Sequence, residues 1–224
     1  MEGDGMMTKV AVLFAMPGSV YRDLDGVECY DAERDARTWG GGMPVVAHPP
    51  CRAWGKLRGF AKAGPAERAL GIWAGHQVRA WGGVLEQPCW SKLWLAAGLP
   101  LPGERDELGG FTLDVDQFWW GHRAQKRTWL YVCGCDPAEV PVMPFCLGQA
   151  PRVLTNVHGL RVGMAGYRPE VTKRERSATP LALARWLVDL ARLCAARRYL
   201  WGGQVISGPA SVAGGPVVKQ SGLN

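Results

Sequence analysis

At 224 residues the chain is long enough for one substantial hydrophobic core, and we expect a single domain over residues 1–200. Hydrophobic residues make up 47% and charged residues 21%, which excludes a disordered chain, and the absence of a long apolar run or a signal peptide predicts a cytoplasmic protein without membrane contact. The formal net charge of +6 suits a polyanionic partner, although an excess of this size favours nucleic acid only weakly.

The N-terminal half alternates between predicted strands and helices. Short apolar runs bounded by turn-forming residues predict strands at 9–15, 26–30 and 43–48. A proline in the first turn, apolar residues at helical spacing and a closing Gly-Gly step predict a helix over 65–83, followed by a strand at 84–88. A strand, a helix and a strand in this order imply a right-handed parallel crossover. The carboxyl ends of both strands should then meet at one edge of the sheet, where open α/β sheets bind ligands.

The C-terminal half has a different pattern. A short helix is predicted at 91–98, and strands at 111–120 and 127–134 should form an antiparallel hairpin that carries a basic loop. Apolar residues at helical spacing predict a long helix over 179–198, with one face in the core: Leu183, Trp186, Leu187, Leu190 and Cys194. The tail, 201–224, is rich in Gly, Ser and Pro and is predicted to be disordered. We therefore expect an α/β fold with a mostly parallel sheet and an antiparallel hairpin.

Cys51 stands out in the segment "VVAHPPCRAWG", directly after a predicted strand. The Pro-Pro step fixes the backbone just past the strand end, so the thiol should be held facing the cleft. Cationic side chains follow it, beginning with Arg52, and cations favour the thiolate, which is the reactive form of a thiol whose free pKa is about 8.5. We interpret Cys51 as a nucleophile. The alternative is a small buried cysteine at a strand end.

Glu86 ends the next predicted strand, where its carboxyl group should approach the Cys51 thiol. Attack of a thiolate on the sixth carbon of a pyrimidine needs an acid beside the ring nitrogen, and a carboxyl in a dry cleft has the raised pKa for that task. The alternative is a helix-capping or surface glutamate. Together the two residues are more specific than either alone.

The remaining candidates are basic, aromatic and metal-binding residues. Cations cluster in three groups, which either bind a polyanion or form solvated surface: Arg52, Lys56, Arg58 and Lys62; Arg123, Lys126 and Arg127; and Lys173, Arg174 and Arg176. Base stacking is one possible function of the tryptophans beside these groups, Trp54 and Trp119 or Trp120. His122 is either a packed or phosphate-contacting residue or an acid–base group. The seven cysteines lack paired Cys-x-x-Cys spacing, so no metal site is predicted.

Three segments resemble ordered motifs of the DNA cytosine-5 methyltransferases. "HPPC" resembles their Pro-Cys motif, "LEQP" their Glu-Asn-Val motif, and "WGHRAQKRTWLYVCG" their Gln-x-Arg-x-Arg motif. Over residues 9–195 the chain more closely resembles small phage-encoded proteins described as methyltransferase-like. The resemblance implies a compact Rossmann-like methyltransferase fold, S-adenosylmethionine as methyl donor and DNA as partner, with the target base swung out of the duplex.

The resemblance also implies functions for individual residues. Catalysis would fall to the nucleophile Cys51, to Glu86 at the ring nitrogen, and to Arg123 and Arg127 as supports for the flipped base and its phosphates. Four residues would line the donor site, with the acid at the ribose hydroxyls: Phe14, Gly18, Asp31 and Pro49. Four more would contact DNA: Arg52, Lys56, Lys126 and Trp54.

Two other functions remain open from the residues. The glycine-rich loop that cradles S-adenosylmethionine in the family is absent from "LFAMPGSVYRDLDG". Cys51 and Glu86 therefore also fit an enzyme with a different donor or with a free nucleotide as substrate. The third hypothesis is a catalytically silent DNA-binding or inhibitory protein that keeps the fold.

Overall fold

The computed structural model describes residues 7–56, 58–156 and 159–201, so the predicted tail beyond Trp201 lies outside the described residues. The strands are β1 (Val10–Leu13), β2 (Val27–Tyr30), β3 (Val45–Ala47), β4 (Gly83–Pro88), β5 (Phe111–Asp116) and β6 (Arg127–Cys133). The α-helices are α1 (Pro65–Trp81), α2 (Leu93–Ala96), α3 (Lys173–Ser177) and α4 (Leu181–Trp201).

One six-stranded sheet, in the order β2-β1-β3-β4-β6-β5, organises the described chain. The first four strands are parallel to one another, whereas β6 is antiparallel to both β4 and β5. The predicted α/β class and antiparallel hairpin are confirmed. The sheet is mixed rather than mostly parallel, because the short β5–β6 connection reverses the chain and β6 then inserts beside β4. This architecture is compatible with a Rossmann-like fold.

Helices cover both faces of the sheet, as alternate residues of β1 demonstrate. Val10 and Val12 pack in the cluster that contains the buried face of α4, and that face is the predicted one: Leu183, Trp186, Leu187, Leu190 and Cys194. Ala11 and Leu13 pack in the opposite cluster, with residues of α1 and α2. A strand that is buried on both faces explains why its sequence is a continuous apolar run without alternation.

Asp116 ends β5 earlier than the sequence predicts. Its carboxylate accepts hydrogen bonds from the backbone N–H groups of Phe118, at 3.0 Å, and Lys126, at 2.8 Å. These bonds turn Gln117–Trp120 into a short 3₁₀-helix instead of the second half of a strand. The same carboxylate therefore closes both ends of the basic loop.

Gly83 allows β4 to lie against β3. Its φ is +122°, and a Cβ at this position would lie only 2.0 Å from the carbonyl oxygen of Val45 on β3. Any other residue would have to separate the two strands that carry the candidate site. Gly98 also has a positive φ, +59°, but open space surrounds its Cβ position.

Gly83→Ala should lower the free energy of unfolding by at least about 2 kcal/mol, because it adds a backbone clash to an unfavourable φ. Gly98→Ala, which adds the φ penalty alone, should cost about 1 kcal/mol. Chemical denaturation monitored by circular dichroism measures both. Equal losses in the two variants would show that close β3–β4 contact does not depend on the glycine.

Candidate functional site

The topology brings the carboxyl ends of β1, β2, β3 and β4 to one edge of the sheet. From β1 the sheet extends to β2 on one side and to β3 on the other, which makes the gap between β1 and β3 a topological switch point. Because Pro88 at the end of β4 pairs with Thr128 near the start of β6, the loop between β5 and β6 reaches the same edge. The predicted site residues follow these strand ends.

The backbone around Cys51 is fixed by two sets of hydrogen bonds. The Cys51 carbonyl accepts from the N–H groups of Trp54, at 3.0 Å, and Gly55, at 2.8 Å. On the other side, the Gln87 amide donates to the Pro49 carbonyl at 2.5 Å, and the Ser91 hydroxyl donates to Gln87 at 3.3 Å. Cys51 itself is exposed. A buried side chain of β4 thus anchors the Pro-Pro step that presents the thiol.

Glu86 lies at the centre of a chain of polar side chains. Its carboxylate contacts Nδ1 of His48 at 3.1 Å and accepts a hydrogen bond from the Gln117 amide at 3.2 Å. Nε2 of His48 contacts the hydroxyl of the buried Tyr21 at 2.9 Å. The register pairs Ala47 with Leu85, so His48 follows β3 level with Glu86. β4 continues beyond Glu86 to Pro88. Contrary to the prediction, Glu86 therefore does not end the strand.

Hydrogen bonding and charge hold Glu86 in its ionised form. Burial acts to raise the pKa of Glu86, but the hydrogen bond with His48 and the positive charge of Lys126 outweigh it, so the pKa lies below its usual value. The predicted raised pKa is wrong, because the sequence did not reveal these two partners. Glu86 is therefore charged at neutral pH, and its carboxylate is a weaker proton acceptor than usual.

The Cys51 thiol is shifted towards its protonated form. Although Cys51 as a residue is exposed, desolvation is the largest cause that raises the pKa of its thiol, and the negative charge of Glu86 raises it further. Lys126 acts in the opposite direction but does not prevail. The predicted stabilisation of the thiolate is wrong, since the Arg52 guanidinium pairs with Glu67, whose charge also raises the pKa of the thiol.

Three of the five cations assigned to catalysis or DNA contact form ion pairs within the protein. Besides the pair formed by Arg52, Arg123 pairs with Glu175 of α3, and Arg127 pairs with Asp114 of β5. Lys126 acts electrostatically on both Cys51 and Glu86, and Lys56 is exposed. Lys126 is therefore the loop residue whose positive charge acts on both Cys51 and Glu86. The structure assigns Arg123 and Arg127 to ion pairs with other elements.

Trp54 and His122 are packed residues. Trp54 is only 8% exposed, and α1 approaches it through Gly71, where a Cβ would lie 2.8 Å from the indole nitrogen. This burial removes Trp54 as a stacking residue. The buried His122 accepts a hydrogen bond from the Ala124 N–H at 3.0 Å, and its Nε2 lies 3.2 Å from the Glu175 carbonyl. His122 thus links the basic loop to α3.

Asp31 does not fit the ribose-binding function that the resemblance implies. One carboxylate oxygen accepts hydrogen bonds from the backbone N–H groups of Glu33 and Arg34, both at 3.0 Å, and the other pairs with Arg22. The residue is only 6% exposed. The hydrogen bond from the Arg34 N–H is the largest cause that lowers the pKa of Asp31. This carboxylate closes its own turn and does not face a ligand.

The other predicted donor-site residues surround the end of β1. Phe14 follows the strand with a φ of +62°, and its ring meets Trp73 edge-on at a centroid distance of 6.0 Å. Gly18 has a φ of +68° and open space around its Cβ position, and the Pro49 carbonyl is taken by Gln87. These contacts form no glycine cradle for a nucleoside, so we derive no chemical step through S-adenosylmethionine.

Within residues 7–56, 58–156 and 159–201, no group of three or more His, Cys, Asp or Glu side chains is arranged to hold a metal ion. No helix in those ranges is long and apolar enough to cross a membrane. Comparison with protein-family models, curated proteins and solved structures found no match. The functional conclusion therefore depends on the geometry at this edge of the sheet.

The electrostatic coupling of Cys51 can be measured by alkylation with iodoacetamide. Thiolate reacts and thiol does not, so a lower pKa gives faster alkylation at about pH 8. Glu86→Gln removes a charge that raises the pKa of Cys51 and should accelerate the reaction, whereas Lys126→Gln should slow it. Peptide-resolved mass spectrometry follows each cysteine separately. The exposed Cys146 should react at the same rate in all three proteins, and shifts of Cys51 in the same direction would contradict the geometry.

Proposed function

We propose that this protein modifies the fifth carbon of cytosine in DNA through a covalent adduct between Cys51 and the sixth carbon of the ring. One observation carries the proposal: an exposed cysteine just past β3, at the carboxyl edge of the sheet, is coupled electrostatically to an ionised carboxylate on the neighbouring strand. The resemblance of "HPPC" and "LEQP" to the cytosine-5 methyltransferase motifs supplies the substrate. A thiol and a carboxylate are the two groups that this addition requires.

The protonation states suggest how the proton moves. Cys51 begins as a thiol and Glu86 as a carboxylate. Their pKa values oppose proton transfer in the free site, so the thiol proton passes to Glu86 only as sulfur bonds to carbon 6. The electron pair of the C5–C6 double bond then shifts to C4–C5, that of the C4–N3 double bond shifts to N3, and Glu86 delivers the proton to N3. Carbon 5 of the resulting enamine carries the nucleophilic electron density that a one-carbon electrophile would take up. Loss of the C5 proton to water, return of the N3 proton through Glu86 to the departing sulfur, and cleavage of the C6–S bond restore the aromatic ring and the thiol.

His48 and Gln117 are the positioning residues in this proposal. Each contacts a different oxygen of Glu86, and His48 is itself in contact with the buried hydroxyl of Tyr21. Two partners on opposite oxygens restrict rotation of the carboxylate. They hold it in an orientation from which it can reach both the thiol and the ring. Neither partner touches the substrate in this mechanism.

A second candidate keeps the cysteine adduct but takes another donor or a free nucleotide. The engagement of Asp31 by Arg22 and two backbone N–H groups favours it, because a methyltransferase of the implied family would use that acid at the donor ribose. S-adenosylmethionine remains the donor that the resemblance implies. Titration of the protein with this compound, followed by calorimetry, tests donor binding separately from adduct formation.

Adduct formation has a signature that needs no donor. Once sulfur has added to carbon 6, carbon 5 can take a proton from water and lose its original hydrogen, so DNA with deuterium at cytosine C5 should lose the label. The native protein should release deuterium, and Cys51→Ser should abolish release while leaving folding intact. Glu86→Gln should slow release by about 100-fold, because an amide cannot carry the proton. Mass spectrometry of digested nucleosides measures the exchange.

Release at the native rate by Cys51→Ser would exclude the covalent mechanism. Release from free deoxycytidine monophosphate but not from DNA would favour the second candidate. With a competent donor, DNA that carries 5-fluorocytosine should trap the native protein and not the serine variant. Fluorine leaves no C5 proton to remove, so the bond between sulfur and carbon 6 persists.

DNA binding should weaken steeply as salt is added, because binding to phosphates releases condensed counterions. Lys56→Gln should reduce the slope of log affinity against log salt by about one unit. Fluorescence anisotropy with labelled DNA gives the slope. A flat dependence, or no binding at low salt, would argue against DNA as the substrate.

A further inference from the structure

Trp90 combines two features that are rarely found together. More than half of its surface is exposed, 57%, and its backbone has a φ of +65°. A positive φ is unfavourable for any residue with a Cβ, and a bulky residue in this region is a genuine outlier. Such outliers persist where the surrounding structure fixes them and are concentrated at functional sites.

Hydrogen bonds on three sides fix the turn that contains Trp90. The Ser91 N–H donates to the Pro88 carbonyl at 3.1 Å, which makes Trp90 the second central residue of a β-turn. The Cys89 N–H donates to the Arg127 carbonyl at 3.1 Å, and the Lys92 N–H donates to the Trp54 carbonyl at 3.0 Å. Glycine is the usual residue where such a position requires a positive φ. The tryptophan therefore contributes a side chain at a conformational cost that glycine would avoid.

The indole of Trp90 is supported from beneath and open above. Its ring packs against that of the buried Trp129 at a centroid distance of 5.0 Å, and Trp129 in turn packs against Trp94 at 5.4 Å. Of the tryptophans predicted to stack on a base from their position in the sequence, Trp54 and Trp120 are buried, and Trp119 is half-buried against Phe145, at a ring-centroid distance of 5.0 Å. Trp90 thus offers a rigid aromatic surface at the edge of the sheet that carries Glu86.

Cations border this surface. Lys92 is exposed two residues after Trp90, and the charges of Arg127 and Lys56 both reach the neighbouring Cys89. Two carboxylates also act on Cys89: Asp114, which pairs with Arg127, and Asp116, which closes the basic loop. The exposed Lys92 beside the indole is complementary to a phosphate that flanks a stacked nucleobase.

We propose that Trp90 is a stacking platform for a nucleobase next to the target cytosine, in the strand that enters the Cys51 site. The inference rests on the proposed function, which supplies DNA as the substrate. β4 connects Glu86 directly to the turn, so the platform and the acid belong to one rigid segment. Stacking there would hold the strand without reading its sequence, because every base has an aromatic face.

Substitution by glycine separates stacking from stability. Trp90→Gly removes the indole and relieves the unfavourable φ, so the folded protein should be no less resistant to denaturant. Its affinity for a fluorescein-labelled single-stranded oligodeoxynucleotide should fall about tenfold, whereas Trp90→Phe should keep most of the affinity. Leu108→Ala is the matched control, because Leu108 is equally exposed, 58%, and lies before β5 at the opposite edge of the sheet. This control should bind as the native protein does.

An abasic scan identifies the stacked base. Removal of a single base at one position should weaken binding of the native protein about tenfold, and the same removal should have no effect on Trp90→Gly. The slope of affinity against salt should be the same for both proteins, since the phosphate contacts remain.

Three results would overturn the proposal. If Trp90→Gly binds DNA with the native affinity, stacking on Trp90 is excluded. The proposal that deuterium is released through Cys51 is not affected by that result. If light scattering shows that Trp90→Gly has a different oligomeric mass from the native protein while its affinity for DNA is unchanged, the exposed indole belongs to a protein interface. Failure of the native protein to bind DNA at low salt rejects the stacking platform together with DNA as substrate.

Discussion

The parallel register between β3 and β4 is the constraint on which the candidate site depends. It sets His48 level with Glu86 and brings Gln87 beneath the Pro-Pro step, so adjacent residues of β4 hold the acid and the backbone that presents the thiol. The register in turn requires close backbone contact, which Gly83 permits. A shift by one residue would turn Glu86 and Gln87 to the wrong faces, because side chains alternate along a strand.

Charge balance explains why the site is stable without substrate. A buried carboxylate is costly unless it is paired and hydrogen-bonded, and Glu86 obtains this from His48, Gln117 and Lys126. The same carboxylate discourages ionisation of Cys51, so the site holds one negative charge instead of two. In the proposed mechanism, this arrangement would keep Cys51 protonated until a substrate offers a place for the proton. Reactivity would then be tied to binding.

The sequence predicted the elements that depend on local pattern. Continuous apolar runs located the buried strands, and the apolar face of α4 was correct residue by residue. The crossover rule alone brings Cys51 and Glu86 to one edge of the sheet, and the parallel pairing of β3 with β4 agrees with it. The order and direction of the strands in the sheet were less predictable. Nothing in the local sequence indicates whether a hairpin strand stays at the edge of the sheet or inserts beside β4.

Partners from distant segments could not be predicted. Glu175 pairs with Arg123 and Glu67 pairs with Arg52, and the charge of Glu67 is one of the causes that raise the pKa of Cys51. Asp31 was expected to bind a ribose, yet its two following N–H groups and Arg22 satisfy it locally. An aspartate that precedes a turn is typical of such self-capping. That signal in the sequence could have identified it.

Trp90 illustrates the opposite case, in which a local rule is broken and the exception carries information. Its position in the turn favours glycine, and its exposure favours a polar residue, so neither propensity nor burial accounts for an indole. Natural sequences depart from local consistency mainly at functional sites, where another gain compensates the cost. The buried Trp129 beneath the ring and the cations around it supply the physical basis of that gain, since together they can support and orient a stacked base. The strained turn and the candidate site then belong to one surface, which is organised by the same strand.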